Sequence, residues 1–406
     1  MNREGQPGHI DHIKQANAGT VYRLIDMFGP ISRISLSKIS QLAPASITKI
    51  VRELQDAHLV KETEVSEPGS RGRPAVGVEL DTKAWHYLGV RVHYGHLSLA
   101  LQDLSNRLIV EEQIPFPVDN KVVPWLTRFT VVIEAFFERH QALLERLTAI
   151  AITVPGIIDT ATGVVKKLPF YDEEDLPLAA SLSKKTGLPV YVQQDIAAWA
   201  MSEALYGAAM NCQNVIQITI DDTVGASVIS GGRMLHADSS RRIEIGHTRV
   251  EAGGKACYCG NSGCLETIIS MGSILERTKG LLSSHPESLL NFSSLSIDNL
   301  CRYANANDAL AKEIIQHVGA LVGQIAAVMV NVFNPEKILI GSPLNKASSI
   351  LYPVIEESIR SAAMPDYTHS LRVEPTRFMN VGTMPASTLV KMALYDGSLL
   401  LGLLQG

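Results

Sequence analysis

Acidic residues are missing from one stretch of an otherwise acidic chain. The 406 residues carry a net charge of −5, yet no Asp or Glu occurs from Met27 to Arg52, where Arg33, Lys38, Lys49 and Arg52 all fall. The overall balance excludes a chain coated with nucleic acid along its length, while the local deficit is the mark of one appended DNA-binding face. Cysteine is scarce, with five residues, and so few exclude a disulfide scaffold. No apolar run reaches transmembrane length, and the N-terminus lacks the apolar core of a signal peptide, so the expected location is the cytoplasm. What is present, at 46% apolar residues, provides for two or three well-cored domains.

The acid-poor stretch has helical spacing. Val21, Leu24, Ile25 and Phe28 share one face of a helix over 17–28, which Gly29-Pro30 stops. Ser32 offers an N-cap, with Leu36, Ile39 and Leu42 on one side of the helix that follows. Pro44 suits the first turn of another helix, in which Ile47, Ile50, Val51 and Leu54 face inward. That leaves Ser46, Thr48, Lys49 and Arg52 facing outward, the side-chain types that contact phosphates and base edges in a major groove. A hairpin follows, with strands over 59–65 and 75–80 around the tip Arg71-Gly72-Arg73-Pro74. Arg71 and Arg73 on such a tip suit a minor groove. The whole reads as a winged helix-turn-helix. A small helical cap with a solvated basic face has the same periodicity; the missing acids and the Arg-Gly-Arg tip favour DNA.

Three of the five cysteines, Cys257, Cys259 and Cys264, fall within eight positions, with His247 ten residues upstream. One imidazole and three thiolates make a closed tetrahedral zinc set, and clustered cytoplasmic cysteines more often bind metal than form disulfides. Cys212 and Cys301 stand alone and are expected to be buried and inert. Glu244 and Glu266 flank the cluster. By position alone they are surface charges, and Asp195, at a strand-to-helix junction, is a helix cap.

Beyond residue 82, strands alternate with helices. Strands are expected over 86–92, 97–103, 108–114, 147–154, 189–194, 214–221 and 226–230, with helices over 122–144 and 195–206. The repeated order of three strands, then helix, strand and helix, implies two similar α/β lobes with a cleft between them. The run Glu244-x-Gly246-His247, then Cys257-x-Cys259-Gly260-x-x-Gly263-Cys264-x-Glu266, resembles the signature of the ROK family of repressors and sugar kinases. The stretches 147–156 and 334–341 are similar to its strand motifs.

The resemblance implies an α/β, two-lobed, sugar-kinase-like fold of the actin and hexokinase type, with a structural zinc site, behind the winged helix-turn-helix. The implied division is residues 1–81 for DNA, 82–194 plus 381–406 for a first lobe with partner binding and self-association, and 195–380 for a second lobe with the zinc and a dimerisation surface. It also implies a sugar-shaped pocket of Asp195, Glu244, His247 and Glu266, in which carboxylates accept sugar hydroxyls. One departure is Gln194, where the family has Asn.

The phosphate loops depart further. Family kinases place Asp-x-Gly-x-Thr after the first strand; this chain reads Arg91-Val-His93-Tyr94-Gly95-His96. A second loop reads Asp221-Asp222-Thr223, whose carboxylates repel a triphosphate, and a third reads Gly341-Ser342-Pro343. No kinase activity is expected, and the chain resembles the repressor branch. That branch implies a repressor of sugar uptake and utilisation genes, relieved when the unphosphorylated glucose permease of the phosphotransferase system captures it at the inner membrane. Direct control by a weakly bound free sugar is the alternative, and an active sugar kinase is a weaker one. Phe136 is the candidate partner contact. The apolar segment 389–404 is expected to serve self-association, as homodimer or homotetramer.

Overall fold

The computed structural model describes residues 7–65, 75–118, 122–236, 242–378 and 382–405. The chain divides into two compact units, and the expected boundary at residue 81 is not one of the divisions. One unit holds 1–154, 162–193 and 383–406; the other holds 155–161 and 194–382.

The first unit opens with helix Pro7–Phe28. Ser32 then caps helix Arg33–Ser40, its Oγ accepting from the Ser35 amide at 3.1 Å. Pro44 starts helix Pro44–Asp56, whose Ile47, Ile50, Val51 and Leu54 are buried. Hairpin strands Val60–Val65 and Ala75–Leu80 pair antiparallel, and Ile31–Ser32 adds a short third strand beside Ala75–Leu80. Two positions on the expected apolar faces are corrected: Phe28, at the end of its helix, is exposed, and so is Ile39, because the eight-residue helix Arg33–Ser40 buries only Leu36.

The five-stranded sheet of this unit runs in the order Val190–Gln194, Leu147–Val154, His86–Val92, His96–Asp103, Leu108–Pro115. The last three form an antiparallel meander, and Leu147–Val154 adds parallel to His86–Val92. Helix Trp125–Arg139 buries Trp125, Phe129, Ile133 and Phe136. Spaced at i, i+4, i+8 and i+11, these four share one face. Phe136 is therefore core, with no exposed surface, and the expectation that it meets a partner is corrected. The helix also ends at Arg139 rather than 144, giving way to a 3₁₀ turn.

The apolar C-terminal segment, expected to serve self-association, contributes to the core of its own unit. It forms helices Met384–Tyr395 and Ser398–Gln405, which bury Leu389, Val390, Leu394, Leu399 and Leu400 within the unit. Both helices pack on Pro7–Phe28. A Cβ on Gly19 would lie 2.3 Å from the Tyr395 carbonyl, and one on Gly397 equally close to that of Gln15, so the backbones touch where side chains are absent. Beside that contact, buried Lys391 binds Asp26, which also accepts from the Tyr395 hydroxyl at 2.7 Å. Burial pulls the Lys391 ammonium below its ordinary pKa, and Asp26 opposes the shift.

The second unit repeats the sheet plan. Its order is Arg233–Met234, Val224–Ser230, Val215–Ile220, Lys337–Gly341, Arg372–Pro375, three antiparallel strands and then two parallel ones. Gly231 and Gly232 make the hairpin turn with positive φ. Helix Ala309–Phe333 is long and apolar enough to cross a membrane, which the sequence reading missed. It is a core helix here. It buries Ile314, Ile315, Val318, Val322, Ala326 and Val330, and Gly323 lets helix Ser348–Ala362 approach so closely that a Cβ would lie 2.4 Å from that of Ser358.

The Lys391–Asp26 pair generates a prediction. Lys391→Ala leaves a buried carboxylate uncompensated and is expected to destabilise the chain by about 3 kcal/mol. The measurement is chemical denaturation, with Asp26→Asn combined with Lys391→Met as the less damaged control.

Candidate functional site

The four residues that could hold a metal, His247, Cys257, Cys259 and Cys264, sit on irregular chain between two short helical pieces. A 3₁₀ turn, Ile245–His247, presents the imidazole. The peptide then returns through isolated bridges, Arg249 to Cys264 and Ala256 to Ser262. The Cys257 amide donates to the Asn261 carbonyl at 2.8 Å and that of Gly260 to the Cys257 carbonyl at 3.0 Å, closing a knuckle. Gly263, at φ +70°, permits it, since a Cβ there would lie 1.8 Å from the Glu251 carbonyl oxygen. Helix Glu266–Ile269 begins two residues after Cys264.

The four donors converge. One ligand atom from each of His247, Cys257, Cys259 and Cys264 lies within 4.8 Å of all the others. His247 Nδ1 is 3.5 Å from Cys257 Sγ, and Cys259 Sγ is 3.7 Å from Cys264 Sγ. A tetrahedral site with metal–sulfur bonds of ~2.3 Å has edges of about 3.8 Å between sulfurs and about 3.5 Å from sulfur to nitrogen. The cluster therefore fits a metal of that geometry. Burial pushes the Cys257 thiol up to about 12 and raises Cys264 as well. A bound cation has to displace those protons, which ties metal affinity to pH.

Behind the metal ligand lies a hydrogen-bonded chain. His247 Nε2 meets the Tyr258 hydroxyl at 3.1 Å, and that hydroxyl also bonds Glu266. Glu266 Oε2 accepts from the Val224 amide at 2.8 Å. Desolvation of its hydroxyl end, with Glu266 beside it, raises the Tyr258 phenol well above its ordinary range, so it keeps its proton. It donates that proton to Glu266 and accepts from His247 Nε2–H. The imidazole then has its Nδ1 lone pair free for metal. Burial also raises the Glu266 carboxyl above its usual value.

Asp195, Glu244, His247 and Glu266 all belong to the second unit. Asp195 is buried at the first turn of helix Asp195–Tyr206, its Oδ1 accepting from the Ile196 amide at 2.8 Å. Gln194, not Asp195, is the N-cap, and it makes no side-chain cap bond. Glu244 is exposed, whereas Glu266 is buried. Two participants escaped the sequence reading. Tyr258 lies between two cysteine ligands, where an aromatic reads as spacer. Arg242 sits within electrostatic reach of Glu244 and Asp195; burial lowers its pKa and those two carboxylates oppose the shift. An arginine two positions before Glu244 was the available signal. Its Nη2 donates to the Ile158 carbonyl at 3.3 Å, and its buried Nε has no partner among the described residues.

The kinase-type loops are closed turns. His93 N donates to the His96 carbonyl, and the two imidazoles stack at 4.2 Å. Burial, Arg91 and His96 together push His93 down to about 2, so it stays neutral. Asp221 N donates to the Thr223 carbonyl at 3.0 Å.

On the N-terminal helices, Ser46, Thr48, Lys49 and Arg52 are all exposed. Thr48 Oγ1 donates to the Pro44 carbonyl, and Lys49 and Arg52 face Glu53 and Asp56 one turn on, at 4.0 and 3.8 Å. Such exposed pairs contribute little and yield readily to a phosphate. Arg71 and Arg73 lie outside the described residues.

Residues 87–392 match the model of the ROK family, and the chain belongs to that family. Over 407 residues it is 56% identical to the DNA-binding transcriptional repressor Mlc of Escherichia coli (strain K12), with the whole of both chains covered. It is 35% identical over 402 residues to the DNA-binding transcriptional dual regulator NagC of the same strain, covering 99% of this chain and 98% of the relative. A crystal structure of a ROK family transcriptional regulator, described as a homolog of E. coli Mlc, superposes with a TM-score of 0.86 at 44% identity, covering 98% of this chain and all of that one.

The knuckle generates its own test. Cys257→Ser removes one of four donors and is expected to lower bound metal to a small fraction of one equivalent and to reduce thermal stability, because metal binding contributes to folding. Elemental analysis of the purified chain, paired with thermal unfolding, checks both.

Proposed function

We propose that this chain is a DNA-binding transcriptional repressor of sugar uptake and utilisation genes, those of the glucose phosphotransferase system among them. The observation that carries this is the helix Pro44–Asp56. One face is fully buried and the other presents two hydroxyls and two cations to solvent. The hairpin of Val60–Val65 and Ala75–Leu80 beside it supports a winged helix-turn-helix over residues 1–81, and full-length similarity to the E. coli repressor supports the same reading. Two copies of such a head read a pseudo-palindromic operator, so the working form is a homodimer or homotetramer.

The phosphate loops support a non-enzymatic role. The turn at 93–96 is filled by stacked imidazoles, and the turn at 221–223 carries two carboxylates where a triphosphate would need amides. A coupled ADP-release assay with glucose is expected to stay below about 1 s⁻¹, an ordinary enzyme rate.

In this reading the metal held by His247, Cys257, Cys259 and Cys264 is structural zinc. Soft thiolates with one imidazole select it, and all four donors close the site. Asp195, Glu244, His247 and Glu266 form a sugar-like pocket in the lobe of residues 195–380. The lobe of residues 82–194 plus 381–406 meets the protein partner. That partner is the unphosphorylated glucose permease, which draws the cytoplasmic repressor to the inner membrane and off its operator. The alternative, release by a free sugar, is favoured by the cluster of Asp195, Arg242 and Glu244.

Operator binding measured by fluorescence anisotropy decides between the two, at one fixed salt concentration. Loss of occupancy with the permease domain alone supports capture by the partner; loss with glucose alone supports the pocket. Lys49→Ala and Arg52→Ala are each expected to weaken binding and to reduce the slope of log affinity against log salt by about 0.9. An unchanged slope in both variants removes the helix from the interface.

A further inference from the structure

We propose that Tyr258 is a built-in occupant of the pocket, its phenol holding the place of a ligand hydroxyl and so setting how weakly the chain takes a sugar. This rests on the reading of Asp195, Glu244, His247 and Glu266 as a site for a polyhydroxylated ligand, and deepens it.

An alcohol bound in such a site donates to a carboxylate and accepts from an imidazole N–H. The Tyr258 hydroxyl does both. It lies 3.1 Å from His247 Nε2 and bonds Glu266. Its ring stands edge-on to the imidazole, 5.1 Å between centroids and 88° between planes. His247 is anchored by Nδ1 toward Cys257 and Glu266 by the Val224 amide. Neither acceptor nor donor can follow the phenol if it leaves. A sugar hydroxyl that reaches them must displace it.

Displacement is mechanically open. The Tyr258 side chain comes from the knuckle between Cys257 and Cys259, and the residue is 41% exposed. Rotation about the side-chain bonds of this partly exposed residue moves the phenol off His247 Nε2 without moving the metal ligands. Around the vacated position, Glu244 is within electrostatic reach of Tyr258 and Glu266, and Arg242 of Glu244 and Asp195. Three carboxylates, a guanidinium and an imidazole are complementary to a ring of hydroxyls, and the buried Arg242 Nε is a donor with no partner among the described residues. A monosaccharide in its free, uncharged form is the ligand class this set fits.

The test is calorimetric titration of the full-length, metal-loaded chain with D-glucose, D-mannose and N-acetyl-D-glucosamine, using wild type, Tyr258→Phe and Tyr258→Ser. Tyr258→Ser is expected to bind at least one of them ten-fold or more tighter than wild type, with Tyr258→Phe between the two, and with metal content unchanged. Equal affinity in wild type and both variants overturns the plug and leaves the polyol site standing. No binding to any metal-replete variant overturns the polyol site and the plug together. A crystal of the wild type soaked in concentrated glucose covers the case in which a variant loses its metal. Glucose on His247 Nε2 and Glu266 with Tyr258 rotated away supports the proposal; glucose bound there with Tyr258 in place refutes it.

Discussion

One imidazole organises the irregular chain of the second unit. His247 directs Nδ1 at the sulfurs and Nε2 at Tyr258, and a neutral imidazole serves both only in the tautomer protonated at Nε2. Glu266 selects that tautomer through the phenol between them. The direction of each hydrogen bond then follows: the imidazole donates to the phenol, and the phenol donates to the carboxylate. Residues 248–265 contain no regular helix or strand, only isolated bridges and glycine-shaped turns. Hydrophobic burial alone orders such a loop poorly, and an ion held by the four converging donors would supply the missing free energy. The same imidazole joins the four-donor cluster to Tyr258 and Glu266.

The first unit depends on a different constraint, the seam between its ends. Helix Pro7–Phe28 lies against Met384–Tyr395 and Ser398–Gln405, with glycines at the two closest backbone approaches. Lys391 and Asp26 pair inside that seam. A buried charge is costly to leave unpaired, so this pair ties the helix Pro7–Phe28 to the C-terminal helices. The proposed DNA-binding head is therefore continuous with the body of its unit.

Periodicity was legible wherever one face of an element is buried and the other wet. Ile47, Ile50, Val51 and Leu54 announce their helix, and the strand Leu147–Val154 and helix Asp195–Tyr206 fall where apolar runs and a junction carboxylate place them. It failed where burial comes from a distant segment. Phe136 looked like an edge because adjacent phenylalanines cannot both lie at the centre of one stripe; the structure puts Phe136 at the centre and leaves Phe137 half-buried. The leucines at the C-terminus looked available for another copy because nothing near them in sequence covers them, and the first helix covers them instead. Helix Ala309–Phe333 passed unnoticed because interspersed Ala and Gly soften its apolar run.

The sequence by itself determined the chemistry. A histidine and three cysteines at that spacing, cations in a stretch without acids from Met27 to Arg52, and loops that depart from the phosphate-cradling pattern are statements about side-chain types, and side-chain types are local. Tertiary structure alone decided which groups meet. It placed Tyr258 between His247 and Glu266, brought Arg242 within reach of Asp195, and closed Lys391 onto Asp26 across the length of the chain. These contacts join residues from separate elements, and their distances depend on the packing of everything between them, which no local pattern encodes.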